Sequence, residues 1–116
     1  MSRHDPQLRL QHMLEYAREA VTLMRGKTRA DLDTDRALSL ATLRCLEIVG
    51  EAAYHVPEAI RQQHASIPWL AIIGTRHRLV HGYDLVDYDI IWSTITEDLP
   101  ALIAELEKIV STGGGK

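Results

Sequence analysis

Between Arg76 and Tyr83 the chain reads Arg-His-Arg-Leu-Val-His-Gly-Tyr, a density of guanidinium, imidazole and phenol groups found nowhere else in it. Such groups hold phosphate and move protons. A histidine can take the proton from a ribose 2′-hydroxyl or return one to a leaving oxygen, and an arginine can hold the phosphate and stabilise the charge that develops on it. Arg76 and His81 are therefore candidates for cleavage of a phosphodiester, with His77 and Tyr83 beside them. Two other readings compete. His77 and His81, four apart, have the spacing of a metal pair on one helix face, but the sequence offers no H-E-x-x-H or E-x-x-H partner, so no metal is expected. In the other, Arg76 is a structural cation paired with Glu51.

The positioning element is a helix near its end. Trp69, Leu70, Ile72, Ile73, Leu79 and Val80 recur at helical spacing before Gly82 breaks the pattern. With each residue advancing roughly 100°, Arg76 and His81 point about 140° apart, whereas Arg76 and Tyr83 fall nearly on one line and His77 shares a face with His81. Arg76 falls within the apolar stripe, so its head group is expected to be buried against a partner or aimed into a cleft, with Glu51 facing it across the bundle. The divergence of Arg76 and His81 eases if the arginine swings round the helix end. It also eases if a dimer brings a second Arg76 and His81 to one cleft.

The remaining helices follow from caps and spacing. Asp5 and Pro6 open a first helix whose stripe is Leu10, Met13, Leu14, Ala17, Val21 and Met24, ended by Gly26. Lys27 to Asp33 is a polar connector with a short turn or helix around Ala30 to Leu32. Thr34 is expected to cap a second helix running to about Tyr54, apolar around most of its circumference and therefore central, with Arg44, Glu47 and Glu51 among its charges. Pro57 opens a short helix to about His64, and Ser66 and Pro68 start the helix that carries Arg76. Asp84 to Asp87 forms a loop. Asp87 caps the last helix, whose core face is Ile91, Ile95, Leu99, Leu102, Leu106 and Ile109 and which Pro100 should kink. With no strand-like alternation, the expected fold is all-α, an up-and-down bundle of four main helices plus a short one over residues 1–110, followed by a flexible tail at 111–116.

Composition narrows the function. The 116 residues suffice for one domain with its own core. A formal net charge of -3 argues against coating nucleic acid by bulk electrostatics, so any contact with it is local. The single cysteine, Cys45, excludes an internal disulfide and suits a reducing, cytoplasmic setting. No apolar run is long enough for a membrane span and no leader is evident.

Several strings combine into a resemblance. Arg76-x4-His81-x-Tyr83, preceded by Ile67-Pro68-Trp69 and Ile72-Ile73-Gly74 and followed by Asp98-Leu99-Pro100, resembles the HEPN superfamily and, within it, the HepT-like toxins of prokaryotic toxin–antitoxin pairs. The second helix, with Arg44-x-Leu46-Glu47-Ile48-Val49-Gly50-Glu51-Ala52-Ala53, is similar to the same group, so the likeness covers nearly the whole chain. It implies a HEPN-like bundle and a metal-independent endoribonuclease, without cofactor, whose two copies meet in a cleft at a homodimer interface. It also implies an antitoxin partner, a minimal nucleotidyltransferase that silences the enzyme by AMP transfer to Tyr83, in a type VII-like pair. The residue after the motif arginine, commonly Asn in that group, is His77 here. The other function carried is that of a non-catalytic helical partner of the nucleotidyltransferase.

Overall fold

A computed structural model of the chain describes residues 5–81 and 85–114. Helix α1 spans Pro6–Met24, and its start is the expected one: the Asp5 carboxylate accepts from the Gln7 amide at 2.9 Å, with Pro6 at the first helical position. Its buried face is Leu10, Met13, Leu14, Ala17, Ala20 and Met24, and Gly26, at φ 76°, turns the chain away. The connector is helical as α2, Arg29–Thr34, where a short turn or helix was expected around Ala30 to Leu32, so the bundle has a second short helix. The Thr28 amide donates to Asp31 at its start, 2.7 Å away.

Helix α3, Arg36–Tyr54, is capped by Asp35, whose side chain accepts from the Leu38 amide at 3.1 Å; the expected cap, Thr34, is instead the last residue of α2. It is the central helix, packed between α1 and α5 and touched by α2 and α6. Two buried hydroxyls on it are satisfied within the helix, Ser39 by the Arg36 carbonyl at 3.0 Å and Thr42 by that of Leu38 at 2.9 Å. Helix α4 covers Glu58–Gln63. From it Arg61 reaches back to the end of α3, donating to the carbonyls of Val56 (3.0 Å) and Tyr54 (3.1 Å). Those contacts place the entry to α5, because the buried Trp69 indole donates to the carbonyls of Arg61 and His64, each at 3.1 Å.

Helix α5, Trp69–Leu79, ends earlier than its apolar pattern suggests. Val80–His81 forms a strand, β1, pairing antiparallel with β2, Leu85–Val86, in the register Val80↔Val86 and His81↔Leu85. The Asp87 amide closes the base of this hairpin on the Leu79 carbonyl at 2.7 Å. Two β-branched valines facing each other favour the extended backbone, and no local alternation announces it. The expectation of a strandless chain is corrected at this point, and so is the helical-wheel geometry, since His81 has left the helix. Leu79 is wholly buried, but Leu70, expected on the same apolar face, is 79% exposed. Ser66 does not cap α5; its hydroxyl donates to Glu105 at 3.0 Å.

The last rod is continuous from α6, Tyr88–Ser93, through a π-helical turn at Thr94–Asp98, into α7, Leu99–Gly114. Asp87 caps it by accepting from the Ile90 amide at 3.1 Å. Pro100 lacks an amide hydrogen and would clash one turn back. The wide turn just before it, in which the Leu99 amide donates to the Thr94 carbonyl, takes up that misfit within the rod. Ile91, Ile95, Leu99, Leu102 and Leu106 are buried as expected, Ile109 partly so. The expected tail at 111–116 overlaps the end of α7. The fold is an all-α, HEPN-like bundle of four main helices.

Candidate active site

Arg76 lies on α5 facing α3, and the close approach of the two helices sets where its side chain runs. Its stem passes over Gly50, where a Cβ would stand 2.8 Å from the arginine Cγ. The guanidinium then reaches Glu51, Nη1 donating to Oε1 at 2.5 Å. The other carboxylate oxygen of Glu51 meets His55 Nε2 at 3.0 Å, and the His55 ring stands edge-on to Tyr54. The expected partnership of Arg76 and Glu51 is present. Of the two alternatives, burial and a cleft, the cleft holds: the two side chains are 41% and 52% exposed, so the charge needs no deep compensation and the pair contributes little to stability. What the carboxylate does is fix the direction of the guanidinium while leaving its other N–H donors for a ligand.

The pair opens onto a polar cleft of about 560 Å³ walled by α1, α3 and the Arg76 side chain. From α3 come Arg44, Glu47, Ile48, Glu51 and Ala52; from α1 come Arg9, His12 and Tyr16. Arg44 and Glu47 approach to 3.6 Å across one helical turn. The α1 wall was not singled out by sequence reasoning, although Arg9, His12 and Tyr16 recur at a spacing that puts them on one face along the edge of the apolar stripe.

His77, the next residue along α5, is exposed and is not among the residues lining this cleft. The backbone of His81 lies in β1, beyond the end of α5; its ring, and Tyr83 altogether, lie outside the described residues. Leu85, its ladder partner, is 64% exposed. Among the described residues no three His, Cys, Asp or Glu side chains converge as a metal-ligand set. No described helix is long and apolar enough to cross a membrane.

Comparison with known proteins gives this arrangement a context. A "Putative RNase" of Caldanaerobacter subterraneus subsp. tengcongensis is 35% identical over 105 residues, covering 90% of this chain and 94% of that one. A "Probable ribonuclease HepT" of Thermococcus cleftensis is 36% identical over 100 residues, 83% of this chain and 91% of the relative. A "Putative RNase" of Methanocaldococcus jannaschii is 32% identical over 116 residues, the whole of this chain and 96% of the other. No solved structure matches. The chain matches the family described as Ribonuclease HepT-like over residues 13–109, a span that holds Gly50, Glu51, Arg76 and His81, and it belongs to that family.

Proposed function

We propose that this chain is a metal-independent endoribonuclease, the toxin of a type VII-like toxin–antitoxin pair, with Arg76 and His81 as its catalytic residues. The observation that carries the reading is the Arg76 guanidinium, held by Glu51 at the mouth of a polar cleft in a member of a ribonuclease family. Arg76 holds the non-bridging oxygens of the phosphate and meets the charge that builds on them. His81 takes the 2′-hydroxyl proton as the 2′ oxygen attacks phosphorus. The bond to the 5′ oxygen breaks, leaving a 2′,3′-cyclic phosphate and a 5′-hydroxyl once that oxygen is protonated.

Two copies form the working unit, each contributing Arg76 and His81 to a shared cleft. The partner is a minimal nucleotidyltransferase that moves AMP from ATP to the Tyr83 phenol: the phenol oxygen attacks the α-phosphorus and pyrophosphate leaves. The added phosphate competes with RNA for Arg76 and shuts the enzyme off. A cytoplasmic location accords with an RNA substrate.

The test is cleavage of cellular RNA by the purified protein and by Arg76→Ala and His81→Ala. The parent is expected to cut in the presence of EDTA and leave 2′,3′-cyclic ends. Each variant is expected to lose cleavage with helical content and melting temperature nearly unchanged. A parent that arrests no growth and cuts no RNA, yet binds its nucleotidyltransferase, identifies a non-catalytic partner instead.

A further inference from the structure

The α1 wall of the cleft has no part in the chemistry assigned to Arg76 and His81, yet its composition is that of a ligand site. Arg9 is half-buried, its Nε has no hydrogen-bond partner, and among the described residues no carboxylate lies within ion-pair reach of it. Both acids of the cleft are already engaged, Glu51 by Arg76 and His55, Glu47 by Arg44. Arg9 thus borders the cleft as a cation with no carboxylate to neutralise it, a charge that an anionic ligand would meet. Two turns along the same helix Tyr16, half-buried with its ring packed on the core, borders the same cleft, and His12 lies between them. A cation and an aromatic face side by side, in a protein whose net charge is -3, suit a phosphate and a base together.

We propose that Arg9 and Tyr16 form a subsite for the nucleotide next to the scissile phosphate of single-stranded RNA, Arg9 binding its phosphate and Tyr16 stacking on its base. His12 offers a ring nitrogen to the sugar or phosphate between them. The proposal rests on the ribonuclease reading above and adds to it the residues that hold the substrate strand in register on Arg76. Arg9 and Tyr16 are positioning residues; they touch the strand and not the reacting atoms.

The test is an anisotropy titration of a labelled single-stranded RNA made non-cleavable by 2′-deoxy substitution. It compares the parent with Arg9→Ala, Arg9→Lys, Tyr16→Leu and Tyr16→Phe, with steady-state cleavage of the all-ribose strand alongside. Arg9→Ala is expected to weaken binding roughly tenfold and to lower the dependence of log affinity on log salt by about 0.7, the value for one phosphate contact on a single strand. Arg9→Lys restores the salt dependence. Tyr16→Leu weakens binding roughly tenfold without changing that dependence, and Tyr16→Phe keeps the affinity. In cleavage the loss falls mainly on KM. Affinity and salt dependence unchanged in Arg9→Ala, or a loss confined to kcat, overturns the subsite while leaving the ribonuclease reading intact. A parent that neither binds nor cuts the RNA overturns the ribonuclease reading itself, and the subsite with it.

Discussion

The stem of Arg76 crosses α3 at Gly50, where an added Cβ would stand 2.8 Å from Cγ, 3.1 Å from Cδ and 3.4 Å from the carbonyl oxygen of Ile72. Glycine in a helix interior costs about 1 kcal/mol relative to alanine, so its presence in the middle of α3 reflects what lies over it. Gly50→Ala should therefore act in two directions at once. The propensity gain offsets the displacement of the arginine, and the melting temperature is expected to stay within about 5 °C. RNA cleavage is expected to fall at least roughly tenfold, because the guanidinium no longer meets Glu51. Scanning calorimetry paired with a cleavage assay checks both; a stable variant of full activity would show that the route of the stem does not matter.

Glu51→Gln keeps the shape of the carboxylate and removes its charge. Since the pair with Arg76 is about half exposed, urea unfolding should shift by less than about 1 kcal/mol. Single-turnover cleavage is expected to slow several-fold as the guanidinium loses its orienting charge. His55→Ala, which relieves only the second contact of Glu51, should have the smaller effect. Equal rates for parent and Glu51→Gln would reduce the pair to a surface ornament.

Cys45 gives a pH signature independent of activity. Burial, and secondarily the negative charge of Glu19, push its thiol up to about 11. In the unfolded chain the thiol titrates near roughly 8.5. The folded state binds the extra proton between those values, so stability present at neutral pH is lost as pH rises from about 8.5 toward 11. Urea midpoints at pH 8 and pH 10.5 should fall further for the parent than for Cys45→Ala. Thiol reagents at pH 8 should label Cys45 only after denaturant is added. Rapid labelling of the native protein would contradict its burial.

Tyr83→Phe removes the phenol proposed to accept AMP. Co-expressed with its nucleotidyltransferase, the parent is expected to gain adenylyl mass on the peptide containing Tyr83 and to lose toxicity. The phenylalanine variant should stay toxic. If it is silenced equally well, the partner must act by covering the cleft.

The parts of the fold that could be read from the sequence are those decided locally. Asp5 with Pro6, and Asp87, announced the starts of α1 and α6 because a cap is made by residues two or three apart. The core faces of α1 and of the last rod followed from spacing. The Arg76–Glu51 pair was legible for a different reason: a cation within an apolar stripe needs an explanation. Which of burial and a cleft it would take was not legible, since the gap at Gly50 depends on how closely two helices approach. The end of α5 was hidden because Val80 pairs with Val86, six residues further on, a tertiary choice without local alternation. The π-helical turn left a faint trace. Ile91, Ile95 and Leu99 recur every four residues, wider than the 3.6 of an α-helix. The α1 wall of the cleft was missed because polar residues along the edge of an apolar stripe read as an ordinary helix boundary until the neighbouring helix shows what they face.

The hairpin that takes over from α5 divides the motif between two kinds of support. Arg76 rides on a helix packed against the centre of the bundle, where opening a backbone amide requires much of the domain to open. His81 rides on a ladder of two residues per strand, closed at its base by the Asp87 amide on the Leu79 carbonyl. Amide exchange should thus divide the motif, with slow protons along α5 and fast ones at Val80 and His81. Phosphate binding and proton transfer would then draw on separate cooperative units, and the second could be retuned by changes to the hairpin that leave the bundle's unfolding transition where it is.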